Sequence, residues 1–132
     1  MSSTTLRQKS IEVANIGHSA PIPTGSRVGP VLATSAIGGR DPKTGKLAPD
    51  ADGQARNAFE GLKLILAEGG MGLGDVVKLD VFLVDDAHRE TINKYWLECY
   101  PDPHRRPARH TVVLPLRGGV LLQISALAVA LS

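Results

Sequence analysis

Apolar and polar positions alternate or recur along most of the chain, and the period changes from segment to segment. Residues 6–13 mix apolar and polar side chains over a length that suits an edge strand. Residues 14–26, ANIGHSAPIPTGS, are rich in Gly, Pro and Ser and read as a shaped loop. A strand is expected over 27–36, with Val31, Ala33 and Ser35 on one face and Leu32 and Thr34 on the other. Gly38-Gly39-Arg40-Asp41-Pro42-Lys43-Thr44-Gly45 then reads as a turn, with proline early and glycine closing it.

The clearest element is a helix beginning after Asp50, whose carboxylate suits an N-cap. Ala55, Ala58, Phe59, Leu62, Ile65 and Leu66 recur at spacings of three and four. Gly69-Gly70 ends the helix, and Gly61 inside it implies close packing on a neighbour. Residues 75–84 form the next strand, with Val77, Leu79, Val81 and Leu83 on an apolar face and Lys78 and Asp80 opposite. A second helix starts at Asp85 or Asp86, buries Ile92, Tyr95, Trp96 and Cys99, and stops at Pro101. Two strands close the chain, 109–114 and 119–130. The last carries Leu122, Ile124, Ala126, Ala128 and Ala130 on one side, and its small residues allow another layer to approach.

The order β-β-α-β-α-β-β argues an α+β fold, a mixed sheet with both helices on one face. The other face needs a cover the chain does not supply, so self-association is expected. Length and composition agree: 132 residues suit one domain, 1–132, with five aromatic side chains for its core. Fifteen basic and thirteen acidic residues leave +2, too weak a balance to imply nucleic acid. The apolar runs are too short for a membrane helix, and the N-terminus shows no secretory signal. One cysteine, Cys99, forms no internal disulfide, and a reducing cytoplasm is the expected compartment. The four histidines lack helical metal-ligand spacing, and no phosphate loop, dinucleotide fingerprint or zinc-protease motif occurs.

The densest polar feature is His104-Arg105-Arg106-Pro107-Ala108-Arg109-His110. It can be a solvated basic loop. It can also recognise an anion, because the planar guanidinium matches a carboxylate with paired hydrogen bonds. Arg109, at a strand start just past a proline, is the arginine best placed to be aimed.

Pro107-Ala108-Arg109-His110-Thr111-Val112 is similar to the Pro-Ala-Arg-(Ser/Thr)-x-Val signature of the Rid family, the reactive intermediate deaminases, also called YjgF-like or L-PSP endoribonuclease-like. Further resemblances fall in family order. Ile16-Gly17-His18-Ser19 resembles its IGPYS loop, and Thr34-Ser35-Ala36 sits at its SGQ. Asp41 to Gly45 matches its DPKTG turn, Asp75 to Lys78 its DVVK, and Ile92 to Tyr95 its VNxxY. Gln123-Ile124-Ser125-Ala126-Leu127-Ala128 resembles its EIEAIA strand. The likeness spans roughly 11–130.

The resemblance implies a chorismate-mutase-like fold, a homotrimer with a central barrel-like core, and active sites between subunits. It implies hydrolysis of small enamines and imines that carry a carboxylate, without cofactor or metal. Arg109 would hold the carboxylate, and the backbone at Thr111 would help position nitrogen or water. Ser35 and Asn93 would lie near the pocket, with Gly17, His18 and Ser19 as one wall.

Two positions depart from the family pattern. His18 replaces the loop tyrosine, as a mover of protons or as a tolerated substitution. Gln123 stands at the family's water-orienting glutamate, and residues 103–132 contain no Asp or Glu that could substitute. A glutamine amide can accept a hydrogen bond from water but takes no proton. The alternatives are therefore other catabolic chemistry in a diverged cleft, or binding of small carboxylates without catalysis.

Overall fold

The computed structural model describes residues 8–131. Six strands and two helices follow in the order β1 (Lys9–Ile11), β2 (Gly25–Val28), β3 (Val31–Thr34), α1 (Ala51–Glu68), β4 (Val76–Leu83), α2 (Arg89–Cys99), β5 (Ala108–Val113) and β6 (Leu122–Val129). The strands form one sheet in the order β1-β2-β3-β6-β4-β5. All pairings are antiparallel except β4 with β5, so the sheet is mixed, as the element order predicted. Part of the expected first strand, Leu6 and Arg7, lies outside the described residues.

The expected strand over 27–36 is instead a hairpin. Gly29 has φ +54° and Pro30 follows it, so the chain reverses between Val28 and Val31. A Gly-Pro pair is itself a turn signal, outweighed in the sequence by the apolar residues around it. The loop expected over 14–26 correspondingly ends at Thr24, because Gly25 and Ser26 already belong to β2.

Helix α1 follows its prediction closely. The Asp50 carboxylate accepts from the Gly53 N–H at 2.8 Å, and all six stripe residues are buried. Gly69 and Gly70 close it, Gly70 at φ +78°. A Cβ on Gly61 would stand 3.0 Å from Ile37 Cγ2 and 3.3 Å from Ile16 Cδ1, so the residue lets the helix sit close to two loop segments.

Helix α2 begins after a short 3-10 turn at Asp86–His88, whose start is capped by Asp85 accepting from the Ala87 N–H. It buries Ile92, Tyr95 and Trp96, while Cys99 is only half-buried at the end of the stripe.

The core lies between sheet and helices. Leu32, Leu79, Val81, Leu83, Leu122, Ile124 and Ala128 are fully buried there. In β6 the alternation is clean: Leu122, Ile124, Ala126 and Ala128 point at the helices, while Gln123, Ser125 and Val129 are partly and Leu127 more fully open. In β4 it breaks at the start. A register shift between Val76 and Lys78 leaves Val76 buried and Val77 half exposed, so Val77 does not share the face of Leu79 as expected. An extra residue in one strand of a pair has this effect, because each further residue flips the side chain across the sheet.

The face away from the helices is mixed in character. Val28, Val31 and Leu127 are 44%, 41% and 40% exposed, which makes an apolar patch at one end. Asp80, paired in register with Ser125 and His110, makes a polar row at its middle.

Candidate functional site

A cleft of ≈ 210 Å³ opens where the loop after β1 meets the segment after β3 and the start of β6. Ile16, Gly17, His18 and Ser19 form one wall, Ala36, Gly38, Gly39 and Arg40 with Leu47 a second, and Val120 and Gln123 the floor. The volume suits a small metabolite rather than a large ligand.

The walls are held by the backbone of short loops, and two amide side chains pin them. Asn15, at φ 71°, donates through Nδ2 to the carbonyls of Pro42 at 2.9 Å and Lys43 at 3.3 Å. This fastens the loop carrying Gly17 and His18 to the turn at 41–45. Asparagine tolerates the left-handed region better than most side chains. The turn itself is closed by Asp41, whose carboxylate accepts from the Lys43 N–H at 2.8 Å, and by Gly45 at φ +77°.

Gln54 is the second pin. It is 1% exposed, in the first turn of α1. Its Nε2 donates to the carbonyls of Ala48 and Gly119, both at 3.0 Å, and its Oε1 accepts from the Leu121 N–H at 2.8 Å. One side chain thereby joins the segment before the helix to the turn before β6. Gly39 presses on it: a Cβ there would lie 2.4 Å from Gln54 Cβ. Asn57, one turn further on, donates to the Gly39 carbonyl at 3.0 Å.

Arg109 lies elsewhere. In register it sits beside Leu79, and Thr111 beside Val81, so both belong to the helix side of the sheet at its β5 edge. A guanidinium nitrogen of Arg109 donates to Asn93 Oδ1 at 2.6 Å. The group lies 5.1 Å from the centre of the Trp96 ring, over its face. Burial lowers the Arg109 pKa, and the neighbouring positive charge of Arg89 adds to the effect. Arg89 has its own partner in Asp86, at 2.8 Å. Among the described residues no carboxylate lies within salt-bridge distance of Arg109. The other arginines of the basic segment are structural or solvated. Arg106 donates to the carbonyls of Tyr100 and Pro101, and Arg105 is exposed beside Asp102.

The residues singled out in the sequence thus fall into two groups. Gly17, His18, Ser19 and Gln123 meet in the cleft. Arg109, Asn93 and Thr111 meet at the β5 edge, on the opposite face of the sheet from Gln123. Ser35 joins neither: its hydroxyl donates to the Pro23 carbonyl at 2.8 Å, and Ala36 next to it lines the cleft. Sequence reasoning missed Gln54, Asn57 and Asn15 as supports, and Trp96 as a partner of Arg109. Gln54 was discoverable, because it precedes Ala58 by one helical turn on the apolar stripe.

Comparison with known proteins identifies the family and the fold. The family model described as Endoribonuclease L-PSP matches residues 16–130. A 2-iminobutanoate/2-iminopropanoate deaminase of Salmonella typhimurium is 37% identical over 83% of this chain and 87% of its own. The crystal structure of Escherichia coli TdcF with bound serine superposes with a TM-score of 0.84 at 31% identity, covering 92% of this chain and 98% of that one. The Escherichia coli YjgF structure gives 0.82 at 31% identity, over 92% and 98%. The chain belongs to this family, the Rid or YjgF-like proteins.

Proposed function

We propose that this Rid-family chain hydrolyses small 2-imino acids to the 2-oxo acid and ammonia, at a site completed by a neighbouring subunit. The observation that carries the reading is Arg109. It is a partly buried cation, oriented by Asn93 and Trp96, with one donor committed and no carboxylate partner among the described residues. A cation withdrawn from water without an anion is costly to the fold, so an arginine kept in this state points to a ligand that supplies the anion. The imine deaminase of Salmonella and the serine held by TdcF agree with a small carboxylate as that ligand.

Arg109 and the cleft occupy opposite faces of one sheet, so a single chain does not bring them to one substrate. Association through the mixed face, with its exposed Val28, Val31 and Leu127, would cover the apolar patch and set the β5 edge of one subunit against the cleft of the next. A homotrimer around a central barrel-like core is the arrangement we expect, and sedimentation at micromolar concentration tests it: a stable monomer overturns it.

In the assembled site, Arg109 holds the carboxylate by a forked pair of hydrogen bonds and Asn93 keeps the fork in place. Water adds to the imine carbon, giving a carbinolamine. The nitrogen takes a proton and leaves as ammonia while the hydroxyl proton is lost and the carbonyl forms. Gln123 accepts a hydrogen bond from the attacking water, and His18 is the cleft side chain whose imidazole can relay a proton.

The cleft lining contains no acid, and this favours a second reading, carboxylate binding or different chemistry without a strong base. General-base help is typically worth a factor of about 10²–10⁴. An imine-lifetime assay separates the two. Imines are generated in place by an amino-acid oxidase and trapped with semicarbazide. Shortened lifetime with the parent but not with Arg109→Ala supports deamination. A folded, inert parent that gains activity as Gln123→Glu supports the second reading.

A further inference from the structure

Arg40 is the one charged side chain that lines the cleft. It is exposed, and among the described residues it has no carboxylate within salt-bridge distance. Its backbone pairs with Leu47, also a wall residue, so its position is set by the closed turn between them. The adjacent Asp41 carboxylate is occupied within that turn, accepting the Lys43 N–H. The remaining polar side chains of the lining are His18, Ser19 and Gln123. A small acid-free cleft with an arginine at its wall has a positive potential, and potentials of this kind select anions.

The Arg109 reading already assigns the substrate's 2-carboxylate. That cation lies on the opposite sheet face from the cleft floor, so it cannot be the group that Arg40 duplicates within one chain. We infer that Arg40 receives a second anionic group, and that the preferred substrates are imines of short dicarboxylic acids, with one carboxylate on Arg109 and the distal one on Arg40. This inference rests on the proposed function for the place of the first carboxylate. Arginine suits the role because its fork matches a carboxylate in a way that lysine does not.

The test is binding, which reads Arg40 whether or not an imine is turned over. Calorimetry compares 2-oxoglutarate with 2-oxobutanoate, stable carbonyl analogues with and without a distal carboxylate, on the full-length parent, Arg40→Ala and Arg40→Lys. The expected result is a preference of about tenfold or more for 2-oxoglutarate in the parent, lost in Arg40→Ala and partly kept in Arg40→Lys. A parent without preference, or a preference that survives Arg40→Ala, overturns the inference. Failure of the deaminase reading shows separately, as unchanged imine lifetime in a parent that still prefers 2-oxoglutarate. If neither compound binds at millimolar concentration, both the Arg40 and the Arg109 assignments are wrong.

Discussion

Around Gln123 the molecule is built from backbone: short loops, glycines and turns, cross-tied by the buried amide of Gln54 to three main-chain groups. Around Arg109 it is built from side chains: a guanidinium on a strand edge, an asparagine and a tryptophan on the helix above. The first region has its internal hydrogen bonds satisfied and leaves an empty volume. The second leaves a charge without an anion among the described residues. A fold stabilises a cavity cheaply when polar backbone closes around it, but a desolvated cation remains a cost until something binds. The comparison therefore separates shape, supplied by one region, from charge, supplied by the other.

The sharpest way to break that division is Arg109→Ala. Transition-state binding is expected to fall by about 10²-fold or more, as for the loss of a charged hydrogen-bonded partner. The thermal midpoint is expected to hold or rise, since an uncompensated charge is removed. Activity by semicarbazide trapping and unfolding by calorimetry check the two halves, and a large fall in stability would show that Arg109 is structural.

Gln54→Leu should show the opposite profile. It leaves the Leu121 N–H and the carbonyls of Ala48 and Gly119 without this partner, at a cost of about 1–3 kcal/mol for each group that water cannot reach. Denaturant unfolding measures this. Carboxylate affinity at Arg109 should change much less than stability, and an equal loss of both would unite the two regions. Trp96→Leu is a smaller probe of the charged region. It removes a contact worth about 0.5–2 kcal/mol, and it should weaken carboxylate binding in titration, while unchanged affinity would mean that Asn93 alone sets the fork.

The smallest effect is expected at the groove between the helices, lined by Asp52, Lys94 and Tyr95. The Tyr95 hydroxyl donates to Asp52 at 2.8 Å, and this bond, with Lys94 next and burial opposing, holds the Asp52 carboxyl below its ordinary 3.8. A depressed carboxylate stabilises the fold above its unfolded value, and the contribution disappears as pH falls below about 3.8 through the folded value. Asp52→Asn should therefore lower stability slightly at neutral pH and bring it level with the parent at strongly acid pH. Parallel curves at all pH values would show that the carboxylate's charge is irrelevant.

The legibility of these regions in the sequence differs for the same reasons. The α1 stripe was readable because Ala55 through Leu66 repeat with the helical period, and the Arg109 signature because neighbouring residues carry it. The Val77 bulge left no mark, since DVVKLDVFLV alternates plausibly in either register. The hairpin at Gly29-Pro30 was hidden inside one apolar run.

The order of residues alone settled the two helices, the mixed sheet, the family and the place of the signature arginine at Arg109, because each depends on local period or on contiguous motifs. That Arg109 and Gln123 face opposite sides of one sheet, that Ser35 is taken by Pro23, and that Gln54 ties the cleft together emerges with the folded chain alone. Those are relations between residues up to 67 positions apart. Pairing register and burial create them, and neither exists before the chain has closed on itself.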